Sequence, residues 1–496
     1  MPARPILDHP DLDPADHDRA VAARVDHGNA LFSLGEWAQA AARYREALAL
    51  APESADILFN LSNALARTGA VAEAIDGLQA ALLRNPSHAG AHTNLGNLLR
   101  AEGRATAALE AYRRALFLRP HDPAARFNLG TVLADLDRLE EALVWFGQAA
   151  EAQPPHRPAL AALGIALLQL GRPDAALRWF RAARAAGDST ASTRLGEGLT
   201  LLTQGDLRAG WEGYEARPVT TPFTAAGRAP RWDGSQALSG RTLLVWAEQG
   251  LGDSIQFARY LPLLRARGAR VVLLAQPTLH HLLAGLVDAV VAPGASLSFD
   301  LHCPLPSLPR AFGTELFSIP SPVPYLSVDP VRAAMWRGRV GSAPRIGRVW
   351  AGNPDYAGDR QRSLPFAAVA PLLGMPSVSW HVLQKPVLPV DGAVLAGLAG
   401  VQVWGPGLTD FADTAALVAG LDLVIAADTA VAHLAGALAR RCWIMLPHAA
   451  DFRWLRDRAD SPWYPTVRLF RQATRGDWAG VVASVGEALQ TLPVPR

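Results

Sequence analysis

A carboxylate, a hydroxyl and an imidazole lie close together in the segment AADTAVAHLAGAL, at Asp428, Thr429 and His433. The segment directly follows the apolar run LDLVI, which is typical of a buried strand. Where such a strand leads into a helix, free backbone N–H groups and the positive end of the helix dipole favour an anion. The pattern predicts an anion site, with a diphosphate as the expected ligand. The alternative is that Asp428 or Thr429 only caps the helix and that His433 is an ordinary core or surface histidine.

A second polar turn, EQGLGDSIQ, follows the apolar run TLLVW. Gly250 and Gly252 lie in this loop, and Asp253 begins the helix after it. A hydroxyl that attacks an electrophilic carbon must lose its proton, and a carboxylate held in a cleft can accept it. Asp253 is therefore the candidate base. With Gln256 three residues later it also fits a helix capping box, and the two roles are compatible.

Negative charge that develops on a leaving diphosphate needs cations or hydrogen-bond donors nearby. Lys385 in LQK is the preferred cation, because it lies at a predicted strand end in a chain that is very poor in lysine. Gln384 beside it is a further candidate, as are Arg360 and Arg362 in GDRQRS, although the arginines also fit a solvated loop. Asn353 in WAGNP follows another strand and could hydrogen-bond phosphate or sugar.

Two further segments carry polar or aromatic residues near the expected site. Asp413, in DFADTAAL, lies one helix before the diphosphate turn and could accept from ribose hydroxyls, with helix capping as the equal alternative. The later segment DSPWYPTVRLF contains Trp463 and Tyr464. These aromatic residues either pack the lobes together or shape the mouth of the acceptor site, and the sequence does not separate the two.

Neither a metal nor another cofactor is expected. The DLD pairs at 11–13 and 135–137 lie in the N-terminal segment and in a repeat turn, away from the expected cleft, so they are poor Mg²⁺ ligands for a donor. The chain has two cysteines, Cys303 and Cys442, too few for a disulfide framework and too far apart for a CxxC site. This cysteine usage fits a reducing compartment.

Composition narrows the class of partner. The 47 Lys and Arg nearly balance the 45 Asp and Glu, and no long basic stretch is present, so nucleic acid is an unexpected ligand. The N-terminal segment lacks the apolar core of a signal peptide, and no uncharged apolar run approaches the roughly 18 residues of a membrane span. A cytoplasmic protein is predicted, with peripheral association left open.

In the part of the chain that precedes these polar turns, a glycine or serine recurs every 34 residues and marks a repeat. Small residues follow it by 12 positions, aromatic residues or leucine by 16, and prolines separate the copies. This spacing resembles the tetratricopeptide repeat, with five clear copies and a degenerate sixth over residues 20–217, after a disordered leader at 1–19. The recurring position is held by Gly28, Ser62, Gly96, Gly130, Gly164 and Gly198, and the prolines are Pro52, Pro86, Pro120 and Pro154.

A row of amides runs through three of these copies, at Asn60, Asn94 and Asn128. A solenoid of helix hairpins has a concave surface that usually binds an extended peptide, and side-chain amides both donate to and accept from a peptide backbone. The row resembles the asparagine ladder of O-GlcNAc transferases, which implies acceptor binding. The alternative is that the asparagines cap or bridge adjacent hairpins. The row ends at Asp26 and Ala162.

From residue 241 onward the periodicity changes to short apolar strands that alternate with helical stretches, which indicates parallel sheets. Seven prolines between Pro304 and Pro330 interrupt the alternation and predict a connection between two lobes. The predicted lobes are residues 218–330 and 331–496. Two such lobes face each other across a cleft lined by the carboxyl ends of their strands.

The segments QGLGDSIQFARYLPLL, VWAGNP, RSLP, LQK, DFADTAALVAGLDLVIAADTAVAHLAGAL and DSPWYPTVRLFRQ together resemble the bacterial tetratricopeptide-repeat glycosyltransferases. The catalytic half of that family is similar to the heptosyltransferases of the GT-B fold, and the match covers most of residues 198–490. The order of repeats and catalytic half is also similar to O-GlcNAc transferase and to repeat-containing flagellin glycosyltransferases. The resemblance implies an α-solenoid followed by a GT-B fold of two Rossmann-like lobes.

The same resemblance implies metal-independent transfer of a sugar from a nucleotide-sugar donor. In heptosyltransferases a DTG turn followed by a histidine lies against the donor, and a GD turn carries a base-like Asp. Here the turn reads DTA, so Ala430 replaces the glycine. Asp253 and Lys385 are the implied catalytic pair. The donor-side candidates are Gly250, Gly252, Asn353, Arg360, Arg362, Gln384, Asp413, Asp428, Thr429, Ala430 and His433.

Three functions remain open from the sequence. The first is a protein glycosyltransferase that modifies Ser or Thr of a protein held by the repeats, with flagellin among the acceptors that the resemblance suggests. The second is a glycan or lipid-core transferase whose repeats serve only assembly. The third is a scaffold that has lost catalysis, against which the retained Asp253, Lys385 and Asp428 argue. Donor base, sugar, acceptor and oligomeric state are not specified by these residues.

Overall fold

A computed structural model describes residues 13–153, 155–221, 229–295, 297–341, 344–356, 358–375 and 378–491. The chain divides into two compact units, residues 1–166 and 167–496. Within the described residues the first unit is helical, whereas the second adds two parallel sheets to its helices.

Twelve helices form the repeat region of the described chain. They are α1 (Pro14–Ser33), α2 (Trp37–Leu50), α3 (Ala55–Thr68), α4 (Val71–Arg84), α5 (Ala89–Ala101), α6 (Ala105–Leu118), α7 (Pro123–Asp135), α8 (Leu139–Ala150), α9 (Arg157–Gln169), α10 (Pro173–Ala185), α11 (Ala191–Gln204) and α12 (Leu207–Tyr214). Consecutive helices pack as hairpins, α1 on α2, α3 on α4, α5 on α6, α7 on α8 and α11 on α12.

The 34-residue period has a direct steric cause within the hairpins. A Cβ atom on Gly28 would lie 2.6 Å from the ring of Tyr44, and one on Gly130 would lie 2.7 Å from the ring of Phe146. Gly96 is in the same position relative to its own aromatic residue. The marker residue must therefore be small, because the aromatic side chain 16 residues later lies directly against it. The aromatic residue thus fills the space inside its own hairpin.

The first helix begins inside the segment assigned to a leader. Asp13 accepts a hydrogen bond from the Ala15 N–H at 3.2 Å and caps α1, which starts at Pro14. A cap residue followed by proline is a strong helix start. Residues 14–19 are therefore helical, while residues 1–12 of the predicted leader lie outside the described residues.

Prolines separate the hairpins where the sequence predicts them. Pro52 lies between α2 and α3, Pro86 between α4 and α5, and Pro120 between α6 and α7. The fourth, Pro154, lies outside the described residues. Gly69 ends α3 with φ +87°, a left-handed conformation that glycine adopts without steric cost.

The strands of the second unit are β1 (Thr242–Trp246), β2 (Arg270–Leu274), β3 (Ala289–Val291), β4 (Leu301–Pro304), β5 (Arg345–Val349), β6 (Ser379–Val382), β7 (Val401–Val403), β8 (Leu423–Ala427), β9 (Cys442–Leu446) and β10 (Val467–Arg471). Its remaining helices are α13 (Leu251–Phe257), α14 (Leu261–Ala266), α15 (His280–Leu283), α16 (Leu308–Ala311), α17 (Pro330–Arg337), α18 (Asp359–Arg362), α19 (Phe366–Leu373), α20 (Pro389–Ala396), α21 (Phe411–Ala419), α22 (Ala430–Ala437) and α23 (Trp478–Gln490).

The described strands form two sheets, and every pairing between them is parallel. The first has the order β3-β2-β1-β4 and the second the order β10-β9-β8-β5-β6-β7. The strand order reverses between β1 and β4 and between β5 and β8, and ligands of such sheets bind at this reversal, beyond the carboxyl ends of the strands. The predicted fold class is confirmed: a tetratricopeptide solenoid precedes an α/β region of two Rossmann-like lobes.

The last repeat hairpin belongs to the second unit. Trp211 and Tyr214 of α12 are buried in the same hydrophobic core as strands and helices of both lobes. Gly198 on α11 lies against α12 so closely that an added Cβ would meet the Gly213 backbone at 2.6 Å. The boundary between the two compact units falls at 166/167, whereas the repeat pattern continues to residue 217. The two differ because the last repeat helices keep the repeat pattern while their side chains pack on the lobes.

No helix in the described part of the chain combines the length and the apolar character that a membrane crossing requires.

Candidate functional site

The turns after β1 and β8 lie at the strand-order reversals of their sheets. β1 leads through the Gly250 loop into α13, and β8 leads through Asp428 and Thr429 into α22. A Cβ atom on Gly252 would lie 2.9 Å from His433 Cδ2 and 3.5 Å from Ala430 Cα. The two turns predicted from sequence are therefore brought into contact, and Gly252 has no side chain because α22 occupies that space.

Asp253 has two structural partners. Its Oδ2 accepts from the Gly250 N–H at 3.0 Å, so Asp253 lies in the first turn of α13 and bonds back to the residue before the helix. The sequence had placed Asp253 itself at the start of the helix with Gln256 as its capping partner, but Gln256 Oε1 accepts from Arg453 instead. Asp253 Oδ1 accepts from the Arg453 guanidinium, which follows β9 in the other lobe. The candidate base is thus both a helix cap and one half of an ion pair between the lobes.

Arg453 is the central cation of the site and was not predicted from sequence. Its guanidinium donates to Gln256 Oε1 at 2.5 Å and to Asp451 Oδ1 at 2.8 Å, besides its bond to Asp253. Burial alone would lower the pKa of Arg453, but Asp451 and Asp253 hold this pKa well above its usual range. The signal that could have identified it is the charged segment DFRW, which follows the apolar run WIMLP after three intervening residues and resembles the pattern that singled out Asp428.

Asp428 and His433 form a buried polar pair. Asp428 Oδ1 lies 3.8 Å from His433 Nε2, and His433 Nδ1 hydrogen-bonds the Tyr464 hydroxyl at 3.0 Å. Burial, followed by the negative charge of Asp451, raises the pKa of Asp428 to about 6. Burial lowers the pKa of His433 well below its usual value, so the imidazole is neutral near pH 7. The Trp454 ring stacks on His433 with a centroid distance of 5.2 Å and fixes its orientation.

Thr429 occupies the N-cap position of α22, but its hydroxyl does not accept a hydrogen bond from the helix. Among the described residues this Oγ1 has no hydrogen-bond partner, although the side chain is only 8 % exposed. A buried polar group of this kind costs free energy unless a ligand or water satisfies it. Together with the first N–H groups of α22, it fits an anion.

A cavity of about 240 Å³ lies beside Asp428. Asp428, Asp451 and Arg362 line it from the second lobe, and Gln169 and Thr203 line it from the last repeat helices. The cavity thus collects two carboxylates and one predicted cation, so that acid–base chemistry and anion binding are both available on its walls.

Four predicted residues have local structural partners instead. Gln384 Oε1 accepts from the N–H groups of Trp350 and Ala351 at 3.1 and 3.0 Å, which satisfies the end of β5. Asn353 Oδ1 accepts from the Asp355 N–H at 3.1 Å and is exposed. A polar side chain at a strand end serves the backbone as readily as a ligand.

Asp413 and Lys385 complete these four. Asp413 accepts from Arg332 Nη1 at 2.9 Å and from Thr409, contacts that link α17 to α21. Lys385 Nζ donates to the Leu408 carbonyl at 2.7 Å, and its side chain is not among the described residues that line the cavity. Arg360 is exposed, so of the two predicted arginines only Arg362 lies at the cavity.

No group of three or more His, Cys, Asp or Glu side chains in the described residues is placed to hold a metal ion.

The predicted amide row makes contacts between hairpins. Asn94 Nδ2 donates to Asn63 Oδ1 at 2.6 Å, and Asn128 Nδ2 donates to Asn97 Oδ1 at 3.1 Å. Bridging of adjacent hairpins, which the sequence left open, therefore occurs. The partner asparagines were not singled out from sequence, although each directly follows a marker position of the repeat.

Comparison with known proteins identifies the repeats. Residues 28–69 match the family model of the TPR repeat, and 77–123, 93–158, 146–191 and 161–209 match that of the tetratricopeptide repeat. The chain therefore carries tetratricopeptide repeats, as the 34-residue period predicts.

The match to one curated relative is longer than the repeat region. Protein FlbA of Caulobacter vibrioides is 30% identical over 325 residues, which cover 58% of this chain and 53% of FlbA. The match thus spans about half the length of that relative.

Several solved structures resemble the repeat region. MamA is 22% identical, with 32% of this chain and 94% of that chain covered and a TM-score of 0.31. YrrB, described as a TPR protein with an unusual peptide-binding site, is 25% identical, with 36% and 92% covered and a TM-score of 0.32. PilF of Pseudomonas aeruginosa is 20% identical, with 40% and 90% covered and a TM-score of 0.37.

The raised pKa of Asp428 predicts a pH-dependent gain in stability when Asp428 is replaced by Asn. The folded-state pKa of about 6 exceeds the ordinary 3.8, so the folded state binds more protons between these values and stability falls as pH rises through them. Asp428→Asn removes this cost. It should raise the unfolding free energy by on the order of 3 kcal/mol above pH 6, and leave it unchanged below pH 4. Denaturation at pH 4 and 7.5 measures the difference.

Asp422→Asn is the matched control, because its sign is opposite. Burial opposes ionisation of Asp422. Its carboxylate accepts a hydrogen bond from the Arg345 guanidinium at 2.9 Å, however, and the pKa of Asp422 is lowered overall. This control should lose stability at neutral pH. A loss of stability in Asp428→Asn at pH 7.5 would contradict the prediction.

Proposed function

We propose that the second unit transfers a sugar from a nucleotide-sugar donor to Ser or Thr hydroxyls of a protein bound by the repeats. The observation that most supports this function is the contact between the Gly252 turn of one lobe and the α22 turn of the other, beside a cavity that carries Asp428 and Arg362. A two-lobed α/β protein binds its ligand at such a junction of strand ends.

The donor diphosphate is proposed to bind at the beginning of α22. The first N–H groups of the helix and the unsatisfied Thr429 hydroxyl supply donors, and Arg362 supplies positive charge from the cavity wall. His433 is neutral and packed between Trp454 and Tyr464, so it offers an oriented ring nitrogen rather than a charge. Lys385 remains a candidate cation, in a position outside the described lining of the cavity.

Reaction at the donor carbon requires a group that takes the acceptor proton. Two carboxylates share the Arg453 guanidinium at the junction, Asp253 and Asp451. Asp253 is the base that the sequence suggests.

The proposed function is tested by incubating the full chain with a panel of UDP-, GDP- and CMP-linked sugars and a coexpressed candidate acceptor, flagellin among them. We expect nucleotide release and a gain of one or more sugar masses in the intact acceptor. Release without any mass gain on protein would favour the glycan or lipid-core alternative. Absence of release with every donor would reject a transferase.

Within that assay, joint replacement of Asn60, Asn94 and Asn128 by Ala should weaken acceptor binding. A neutral hydrogen bond contributes about 0.5–1.5 kcal/mol, so loss of three amides should reduce affinity at least about tenfold. Nucleotide release in the absence of acceptor should be unchanged, because these residues lie in the first unit. Calorimetry with the purified acceptor measures the affinity.

The matched control is the double variant Asn63→Ala with Asn97→Ala. It breaks the same two bonds between hairpins but leaves all three amides of the row in place. Equal loss of acceptor binding in both variants would show that the row acts only through the shape of the solenoid.

A further inference from the structure

The cavity beside Asp428 is small for a complete nucleotide sugar. Pockets for such ligands usually enclose about 300–1,000 Å³, whereas this one encloses about 240 Å³. Its walls come from two sources, the second lobe and the last repeat helices, which contribute Gln169 and Thr203. A space of this size fits one sugar ring or one amino-acid side chain, so the groups on its walls are those that a reacting centre would meet.

Asp253 is poorly placed to react there. Both of its carboxylate oxygens have partners, Oδ2 the Gly250 N–H and Oδ1 the Arg453 guanidinium. It is also not among the described residues that line the cavity. A proton acceptor needs an accessible lone pair within hydrogen-bond reach of the hydroxyl.

Asp451 meets these conditions. It lines the cavity, and the hydrogen bonds that it accepts within the described chain, from the Arg453 N–H at 3.0 Å and from Arg453 Nη1 at 2.8 Å, all end at Oδ1. Oδ2 is thereby left for a ligand, and the side chain is 36% exposed, against 22% for Asp253. Arg453 pairs with both carboxylates, and it contacts Asp451 through Oδ1.

We propose that Asp451, rather than Asp253, is the catalytic base, and that the acceptor Ser or Thr side chain enters the cavity between the second lobe and the last repeat helices. This inference rests on the proposed glycosyl transfer. The acceptor oxygen forms a bond to the anomeric carbon of the donor. The bond from that carbon to the nucleotide diphosphate breaks, and its electron pair leaves with the diphosphate. The proton of the acceptor hydroxyl passes to Asp451 Oδ2.

Asp253 and Arg453 then have a positioning role. Asp253 holds one side of the guanidinium, and the guanidinium holds Asp451 Oδ1 from the other side. The base is thereby fixed to the junction of the lobes through Oδ1, while Oδ2 accepts no hydrogen bond within the described residues. Asp428 lines the same cavity, but its side chain is only 10% exposed and lies 3.8 Å from His433 Nε2, so it is less accessible to an acceptor hydroxyl than Asp451, which is 36% exposed.

The test compares Asp451→Asn with Asp253→Asn in the full chain. In Asp451→Asn the side-chain oxygen can still accept from Arg453, and in Asp253→Asn it can still accept from either Arg453 or Gly250, but an amide is not a base at neutral pH. We expect acceptor-dependent nucleotide release by Asp451→Asn to fall at least about 100-fold, with donor binding by calorimetry unchanged. The Asp253→Asn variant should stay within about tenfold of wild type. Sodium formate, which supplies a small carboxylate, should partly restore release in Asp451→Asn only.

The opposite order of the two variants, or equal losses in both, would overturn the assignment. So would a loss in Asp451→Asn that is accounted for by weaker donor binding. Failure of the proposed function has a separate signature, because it is measured by release from the wild-type chain, whereas the base is measured by the ratio between the two variants.

Discussion

Replacement of Arg453 by methionine should lower the unfolding free energy of the second unit by about 3–5 kcal/mol. The guanidinium is buried and is shared by Asp451, Asp253 and Gln256, and it also stacks on the Phe452 ring at 4.4 Å. Methionine retains most of the side-chain volume but none of the charge. The loss therefore measures the cost of leaving two carboxylates at the junction without their cation.

Arg456→Met is the matched control. Arg456 pairs with Asp174 at 2.9 Å, but its side chain is 43% exposed, and exposed pairs contribute less than about 1 kcal/mol. Guanidinium chloride denaturation followed by tryptophan fluorescence reports mainly on the second unit, because of the 14 tryptophans only Trp37 and Trp145 precede residue 167. Equal small losses in both variants would show that the Arg453 cluster contributes no more than a surface pair.

Replacement of Trp211 by alanine should lower the unfolding free energy of the second unit by about 3–5 kcal/mol. Trp211 is 1% exposed, and its ring lies 5.8 Å from Phe452 and 6.4 Å from Trp463 between ring centroids. The side chain belongs to α12, whereas these partners belong to the second lobe. Its removal leaves a cavity at the place where the last repeat hairpin joins the sheets.

Trp478→Ala provides the comparison, because Trp478 is only partly buried, on the opposite face of the second sheet. We expect a smaller loss there. Hydrogen exchange by mass spectrometry should show faster exchange in α11, α12 and α13 for Trp211→Ala, and in α23 for Trp478→Ala. Unchanged exchange in α13 with Trp211→Ala would contradict a shared core between the repeat and the lobes.

Local patterns were sufficient to predict most of the fold. The 34-residue period follows from a steric rule inside each hairpin, Gly28 against Tyr44, so it is visible in sequence without any distant contact. The runs TLLVW and LDLVI became β1 and β8, because strands buried on both faces read as continuous apolar runs. The unit boundary was not visible, since α12 keeps the repeat pattern while its side chains pack on the sheets.

Positions in the candidate site could be predicted to lie together only where one segment contains them all. Asp428 precedes α22 and His433 lies within it, five residues later, and their side chains are 3.8 Å apart. Asp253 and Arg453 are 200 residues apart, and no local pattern pairs them. Gln384 was singled out by its strand-end position, yet its amide satisfies the backbone of the neighbouring strand. A position at a strand end can therefore be predicted from sequence, but whether the polar side chain there bonds to the backbone or to a ligand cannot.

The two kinds of hairpin packing also bear on how such a chain can change length. Hairpins α1 to α8 follow one another with the same kind of contact, α2 on α3, α4 on α5 and α6 on α7, so duplication of one 34-residue copy there would insert a unit with compatible faces on both sides. An inserted copy would not fit after the hairpin of α11 and α12. Gly198 and Gly213 bring the backbones of these two helices together, and Trp211 is buried in the core of the lobes. Gain and loss of repeats among descendants should therefore be confined to the N-terminal copies, where the length of the solenoid varies without alteration of the two α/β lobes.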